Sequence, residues 1–414
     1  MFDTAEGSEQ IDVRGRRYVD FFAGAGALNY GHNHPALREA LVAYLARGGV
    51  THSLDLYTSA KRRFLEVLER VVLEPRGLSH KVMFPGPTGT NAVEAALKIA
   101  RKATGRRNVV TFTNAFHGMT LGSLAVTGNA GKRRGAGVPL ANASVVPFDG
   151  YLGEAIDTLD VFEAMLSDRS SGLDTPAAVI VETVQAEGGV NVAGAPWLSR
   201  LQQICRAHGV LLVVDDIQAG CGRTGPFFSF ERAGIEPDLV TLSKSLSGYG
   251  TPMSVVLVRP ELDVFAPGEH NGTFRGHNLA FVTAAAALEL FWRDDSLTEQ
   301  VAAKGARVAE RLARIAERHA AHDLRVRGLG LMQGLVFGAR PELASKVSRA
   351  CFERGLLIET AGPEDEVLKV LPPLVIEDEL LERGLDIVEA SVAEVIAGAE
   401  LRDLGPHQGA KVTA

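Results

Sequence analysis

The sequence predicts an α/β fold: a large domain on a mostly parallel seven-stranded sheet between helices, followed by a smaller α+β domain. Three observations carry this. Between about residues 77 and 260, short β-branched runs alternate with longer stretches of helical period, the pattern of parallel strands joined by crossover helices. Most of these runs are apolar nearly throughout, as strands covered on both faces should be. From residue 298 onward the pattern changes to a long charged amphipathic segment, further strand-like runs and a final helix.

The candidate strands of the large domain are 81–84, 109–112, 144–147, 178–182, 210–214, 239–242 and 254–258. Beyond them, 298–321 reads as an amphipathic helix, and 324–326, 328–336 and 367–371 as strands of the smaller domain. This gives an N-terminal segment, 1–50, joining the small domain, a large domain over 51–300 and a small domain over 301–414. No stretch rich in Pro, Gly and Ser separates the parts, so they are expected to pack tightly, while 405–414 reads as a loose tail.

The 414 residues suffice for a large buried core. Apolar residues are 46 % and charged residues 22 %, near the averages of globular proteins, which excludes disorder as the general state. A net charge of −7 with scattered basic residues argues against nucleic acid as the partner and for a small molecule. Apolar stretches are too short to cross a bilayer, and the start MFDTAEGSEQ lacks the pattern of a secretory signal. Three separated cysteines, Cys205, Cys221 and Cys351, form no C-x-x-C pair, so a reducing cytoplasm is expected.

Two apparent nucleotide motifs fail on inspection. Gly24-Ala-Gly26-Ala-Leu-Asn29 lacks the third glycine of the dinucleotide fingerprint, and Gly131-Lys132 is followed by Arg133 where a P-loop needs Ser or Thr. The stretch from Phe84 to Asn91 joins a strand to a helix over 92–103 through a glycine turn, where free N–H groups suit a phosphate; an ordinary Thr cap is the alternative. Asp215 and Asp216 fall just past a buried strand, open to a metal, a cap or a cofactor contact. Lys244 follows another buried strand among small residues, where a desolvated amine would suit Schiff-base chemistry and a strand-end lysine would simply reach water. Together they supply candidates for a phosphate cup, an acid for a pyridine nitrogen, an aromatic plate and a reactive lysine, which are the needs of pyridoxal phosphate.

The chain resembles the class III, fold-type I pyridoxal-phosphate aminotransferases over nearly its whole length, from Asp20-Phe-Phe-Ala-Gly-Ala-Gly to Leu371-Pro-Pro-Leu374. The most specific match is Asp215-Asp-Ile-Gln-Ala-Gly-Cys-Gly-Arg-Thr-Gly225 with Ser243-Lys244 after it. Within that family, FFAGAGALNYGHNHP, KVMFPGPTGTNAVEAALK, TNAFHGMTLGSLAVTGNA and GEHNGTFRGHNLAFVTA are similar to the diaminobutyrate–2-oxoglutarate aminotransferases of ectoine biosynthesis. The resemblance implies transfer of the amino group of L-glutamate to L-aspartate 4-semialdehyde. It implies that Lys244 carries the Schiff base and shuttles a proton, that Asp215 pairs with the pyridinium nitrogen and that Gln218 meets the ring hydroxyl. Gly89 and Thr90 would bind phosphate, with Thr273 reaching it from a partner subunit in an obligate dimer. Phe116 would stack on the ring with His117 beside it, Glu182 would stand behind the site and Glu187 would be the gate.

Departures from the family matter for the substrate. Met119 stands where many relatives carry an Arg for a distal carboxylate, and Lys369 where the gate partner is commonly Arg. Both replacements fit the diaminobutyrate subfamily, and Lys369 and Arg275 are the candidate clamps for the glutamate carboxylate. His277 replaces the usual Asn, and Asp216 the more common Glu. The chain starts close to Phe2-Asp-Thr-Ala-Glu-Gly7, ahead of which relatives carry a leader that can contribute to the active-site entrance. His32 and His34 are expected to be structural and no metal is expected; Lys132, Arg133 and Arg134 are expected to face solvent, and Cys221 to be a packing residue. Rival readings are an ω-transaminase for putrescine, taurine or β-alanine, and an aminomutase or racemase using the same lysine.

Overall fold

A computed structural model describes residues 1–403. All seven expected runs form strands of one sheet, in the order Lys81–Met83, Val255–Val258, Leu239–Leu242, Leu211–Asp215, Ala178–Val181, Val109–Phe112, Ala143–Val146. Val255–Val258 runs antiparallel to both its neighbours, and the other pairings are parallel. Side chains alternate across the sheet, so Leu212 and Val214 enter one core cluster while Val213 enters another on the opposite face. Both faces are apolar, which is why the runs read as continuous rather than alternating.

The helix Gly89–Thr104 covers one face with Ala92, Val93, Ala96, Leu97 and Ala100, all fully buried. Its alanines carry high helix propensity and let the backbone approach the sheet closely. Thr88, in extended conformation, caps its start, and Gly105 at φ +70° ends it in the left-handed conformation that glycine adopts without strain. The helix Ala195–Ala207 covers the other face through Leu198, Leu201 and Ile204.

The smaller sheet has the order Leu324–Leu329, Met332–Phe337, Val367–Val370, Glu359–Ala361, and is antiparallel throughout. The expected single run 328–336 is therefore split by a tight turn at Gly330, whose φ is +55°. An added Cβ there would lie 2.6 Å from the Arg223 carbonyl oxygen. The expected helix 298–321 is Ser296–Arg318, and the final helix is Asp378–Asp403. The N-terminal strands Phe2–Glu6, Glu9–Asp12 and Arg17–Asp20 share a sheet with Leu356–Leu357, so the first residues lie beside the C-terminal part of the chain. The run 405–414, expected to be a loose tail, lies outside the described residues.

Arg223 ties these parts together. Fully buried, it donates to the carbonyls of Leu331, at 3.1 Å, and Pro372, and to Asn29 Oδ1 at 2.5 Å. Burial pushes its guanidinium down to about 9, against the pull of Asp20. Its donor fork meets three elements far apart in sequence, which a single point charge could not do.

Candidate active site

The carboxyl ends of the parallel strands open onto a cavity of about 190 Å³. Gly89, Thr90, Phe116, His117, Glu182, Asp215, Gln218 and Lys244 all line it, delivered by five different strand ends. Ligands collect at this edge of an α/β sheet because loops and helix starts converge there.

Asp215 is the last residue of its strand, level with Thr241, rather than just past the strand as the sequence suggests. Its Oδ1 accepts from Thr241 Oγ1 at 3.0 Å and from the Ile217 amide at 3.2 Å, and its Oδ2 lies 2.7 Å from His117 Nδ1. His117 is buried, and its Nε2 has no partner among the described residues. Asp216 points away to Ser229, which donates through its amide at 3.1 Å and its hydroxyl; burial raises Asp216 to about 7. It therefore helps to hold the loop rather than facing the cavity.

Lys244 begins a short helical turn, Lys244–Ser247, at φ +51°, a left-handed conformation that costs a side-chain-bearing residue about 1–3 kcal/mol. That conformation turns the amine into the cavity, where Nζ donates to the Ala25 carbonyl at 2.8 Å. Burial brings Lys244 down to about 8, against the opposing pull of Glu187; the charge of Lys369 lowers it further. An amine so tuned is neutral often enough near neutral pH to act as nucleophile and base.

Gly24-Ala25-Gly26, which fails as a nucleotide fingerprint, takes part in this site. Gly24, Ala25 and Gly26 have φ of 59°, 56° and 80°, and the Ala25 carbonyl so presented also accepts from Gln218 Nε2 at 2.8 Å. Motif grammar misses it because the contribution is a backbone oxygen set by conformation. The amide of Phe116 donates to Glu182 Oε2 at 2.9 Å, and burial, then the charge of Asp215, raises Glu182 well above the carboxylate range. Lys132 does not simply face solvent: its Nζ stands 4.3 Å from the centre of the Phe116 ring.

At the helix start, the amides of Gly89 and Thr90 precede the first helical hydrogen bond and have no acceptor among the described residues. Gly118, at φ +124°, leaves room for Thr90, since a Cβ there would sit 2.6 Å from Thr90 Oγ1. Thr120 and Ser123, which the sequence reading passed over, meet Thr90 Oγ1 at 2.7 and 2.8 Å. Free amides at the positive end of a helix form an anion cradle.

Next to the cavity lies a charged triad. Glu187 Oε1 accepts from Lys369 Nζ at 2.7 Å and from Gln218 Nε2 at 3.2 Å, and Glu359 Oε1 lies 2.9 Å from Lys369 Nζ. Glu359 escaped the sequence reading because its position opposite Lys369 is a matter of hairpin register. Arg275 and Thr273 are not brought to the cavity within one chain. Arg275 pairs with Asp55 and lines a separate cavity with Phe84, and Thr273 accepts at its carbonyl from His52 beside exposed Phe274. Met119 is exposed. His32 Nε2 meets buried Asp20 at 2.7 Å, and the His34 ring packs edge-on against Phe291. Cys221 is buried among core residues.

A strand-end lysine, an acid–histidine pair and an anion cradle thus meet at one edge of this sheet. The family model for class-III aminotransferases matches residues 1–392, and the chain belongs to that family. It is 59 % identical over 397 residues to a diaminobutyrate–2-oxoglutarate transaminase of Bordetella parapertussis, covering 96 % of this chain and 91 % of the relative. A Halomonas elongata protein of the same description is 56 % identical, with 96 % and 95 % covered. Among solved structures, the ornithine aminotransferase of Toxoplasma gondii superposes with a TM-score of 0.84 at 28 % identity, over 96 % of this chain and 91 % of that one. A transaminase from the marine bacterium Virgibacillus, at 22 % identity, shares the fold with a TM-score of 0.86, over 96 % and 94 % of the two chains.

Proposed function

We propose that this aminotransferase uses pyridoxal 5'-phosphate to move the amino group of L-glutamate to L-aspartate 4-semialdehyde, giving 2-oxoglutarate and L-2,4-diaminobutyrate. The observation that carries the reading is Lys244, tuned to about 8 and turned into the same cavity as Asp215 and the free helix amides. The unpartnered His117 Nε2 and the space kept by Gly118 also fit a ring with a phosphate arm. When bound, pyridoxal phosphate supplies the aldehyde that carries the amino group and the ring that accepts electrons.

The residues then divide the work. Gly89 and Thr90 would hold the phosphate, Asp215 with His117 behind it would hold the pyridine nitrogen in its protonated state, and Phe116 would cover the ring face. Lys244 Nζ would hold the aldehyde of the cofactor and serve as the base for the proton of the substrate carbon that bears the amino group. Gln218 Nε2 donates to Glu187 and shares the Ala25 carbonyl as acceptor with Lys244. The second substrate follows from the relatives and from this chain's Met119 and Lys369. Thr273 would complete the phosphate site across a homodimer, a reading supported by the exposed apolar Leu56, Tyr57 and Phe274. The unpaired, buried cysteines suit a cytoplasmic location.

The test is stoichiometric. With pyridoxal phosphate, diaminobutyrate and 2-oxoglutarate should disappear together as glutamate appears. Consumption of diaminobutyrate without a keto acid would point to a mutase or racemase, and no consumption would remove this substrate.

A further inference from the structure

The segment that presents the Ala25 carbonyl is strained. Ala23, Gly24, Ala25 and Gly26 follow one another with left-handed φ of 47°, 59°, 56° and 80°. Glycine adopts that region freely, but at Ala23 and Ala25 it costs about 1–3 kcal/mol each, and such a run persists only where its surroundings over-determine it. Two side chains outside the run do so. Behind it, Asp20, fully buried at the end of the strand Arg17–Asp20, accepts through Oδ1 from the amides of Phe22 and Ala23, both at 2.8 Å. Its Oδ2 accepts from Gln10 Nε2 at 3.2 Å and lies 2.7 Å from His32 Nε2. Burial raises the Asp20 carboxyl, but His32 and the two amides outweigh this and hold it below its usual range, so it stays an acceptor. In front, buried Ser245, the residue after Lys244, donates to the Gly26 carbonyl at 2.7 Å and accepts from the Asn29 amide at 3.2 Å. Between these two anchors the Ala25 carbonyl receives Lys244 Nζ and Gln218 Nε2, each at 2.8 Å.

We infer that Asp20 and Ser245 are positioning residues for Lys244: they fix the Ala25 carbonyl where it receives the amine whenever the amine is not bound to the cofactor. This rests on the proposed role of Lys244. A lysine side chain is long and flexible, and one directed bond at its tip confines it to a single approach. An ammonium also donates a stronger hydrogen bond than an amine, so the carbonyl favours the charged form and offsets part of what burial does to it. Glu187, Lys369, Glu359, Asp215 and Glu182 act on Lys244 by charge, and His117 lines the same cavity. Among the described residues none of these six bonds to the side chain of Asp20 or Ser245, so the part played by the carbonyl can be separated from theirs.

The test follows the full chain as it takes up pyridoxal phosphate across pH in Ser245→Ala, Asp20→Ala and Asp20→Asn, reading the visible band of the bound cofactor by stopped flow rather than turnover. With the carbonyl no longer fixed, the break near pH 8 should move down by about half a unit or more in Ser245→Ala and Asp20→Ala, and the plateau rate above it should fall about tenfold. Asp20→Asn gives up the charge but keeps an oxygen for both amides, and should return the break to within about 0.2 unit of wild type. An unmoved break in Ser245→Ala overturns the inference, and so does a shift in Asp20→Asn as large as in Asp20→Ala, since Asp20 would then act by its charge alone. If Ser245→Ala fails to fold, as judged by its unfolding midpoint, the two Asp20 variants decide. A wild type without any cofactor band removes the role given to Lys244 itself, whereas a normal band with breaks unchanged in the variants removes only Asp20 and Ser245.

Discussion

The cavity on the large sheet and the triad that Lys369 and Glu359 of the small sheet form with Glu187 handle charge in opposite ways. Around Asp215 the partners are fixed and directed: a threonine hydroxyl, a backbone amide and a histidine ring. Around Lys369 a single ammonium is shared by two acids, at 2.7 and 2.9 Å. Satisfied networks in low dielectric become rigid, whereas a shared ion stays exchangeable. On the proposed function, the cavity would hold one cofactor throughout and the triad would meet two substrates in turn.

The largest expected effect falls on the rigid side. Lys244→Ala removes nucleophile and base together and should lower turnover by at least about 10⁴-fold in steady-state assays. Asp215→Asn keeps the shape of the site but replaces the carboxylate that accepts from Thr241 and Ile217 and pairs with His117. It should cost roughly 10²- to 10³-fold in kcat while cofactor binding persists, a split that equilibrium dialysis with rate measurements would show.

The connection between the two regions is tested by stability. Arg223→Met retains apolar bulk but strands the Leu331 and Pro372 carbonyls and Asn29 Oδ1, and should destabilise the chain by about 3 kcal/mol in denaturant unfolding. If activity fell without any loss of stability, Arg223 would belong to the chemistry instead. The gentlest effect is on pH. Because burial lowers Lys244 to about 8, the neutral amine is scarce below that pH and dominant above it. The rate of reconstitution with pyridoxal phosphate should therefore rise about tenfold per unit up to pH 8 and then level off, as stopped-flow absorbance would record.

The same contrast decides what could be read from the chain. Asp215 ends an apolar strand, and Gln218 and Lys244 come within three residues of one, so locating the strand locates the residue, and all seven strands of the large sheet were legible as apolar runs. Glu359 was not, because a hairpin's register across Gly362 to Glu366 depends on turn geometry that composition does not specify. The run 328–336 was misread for a related cause: its apolar residues continue through a turn marked by Gly330's left-handed φ. The Ala25 carbonyl was hidden because every residue has a carbonyl, and only an unusual run of left-handed φ values aims this one. Lys132 looked like a surface charge because nothing local announces the Phe116 ring beneath it.

The most direct measurement is a spectral titration of the purified protein with pyridoxal phosphate bound, adding glutamate, diaminobutyrate, ornithine, 4-aminobutyrate and taurine in separate experiments. Glutamate and diaminobutyrate alone should bleach the visible band of the protein-bound cofactor, and 2-oxoglutarate should restore it. Bleaching by the other amines with none by diaminobutyrate would contradict the substrate, and the absence of any cofactor band would contradict the role given to Lys244.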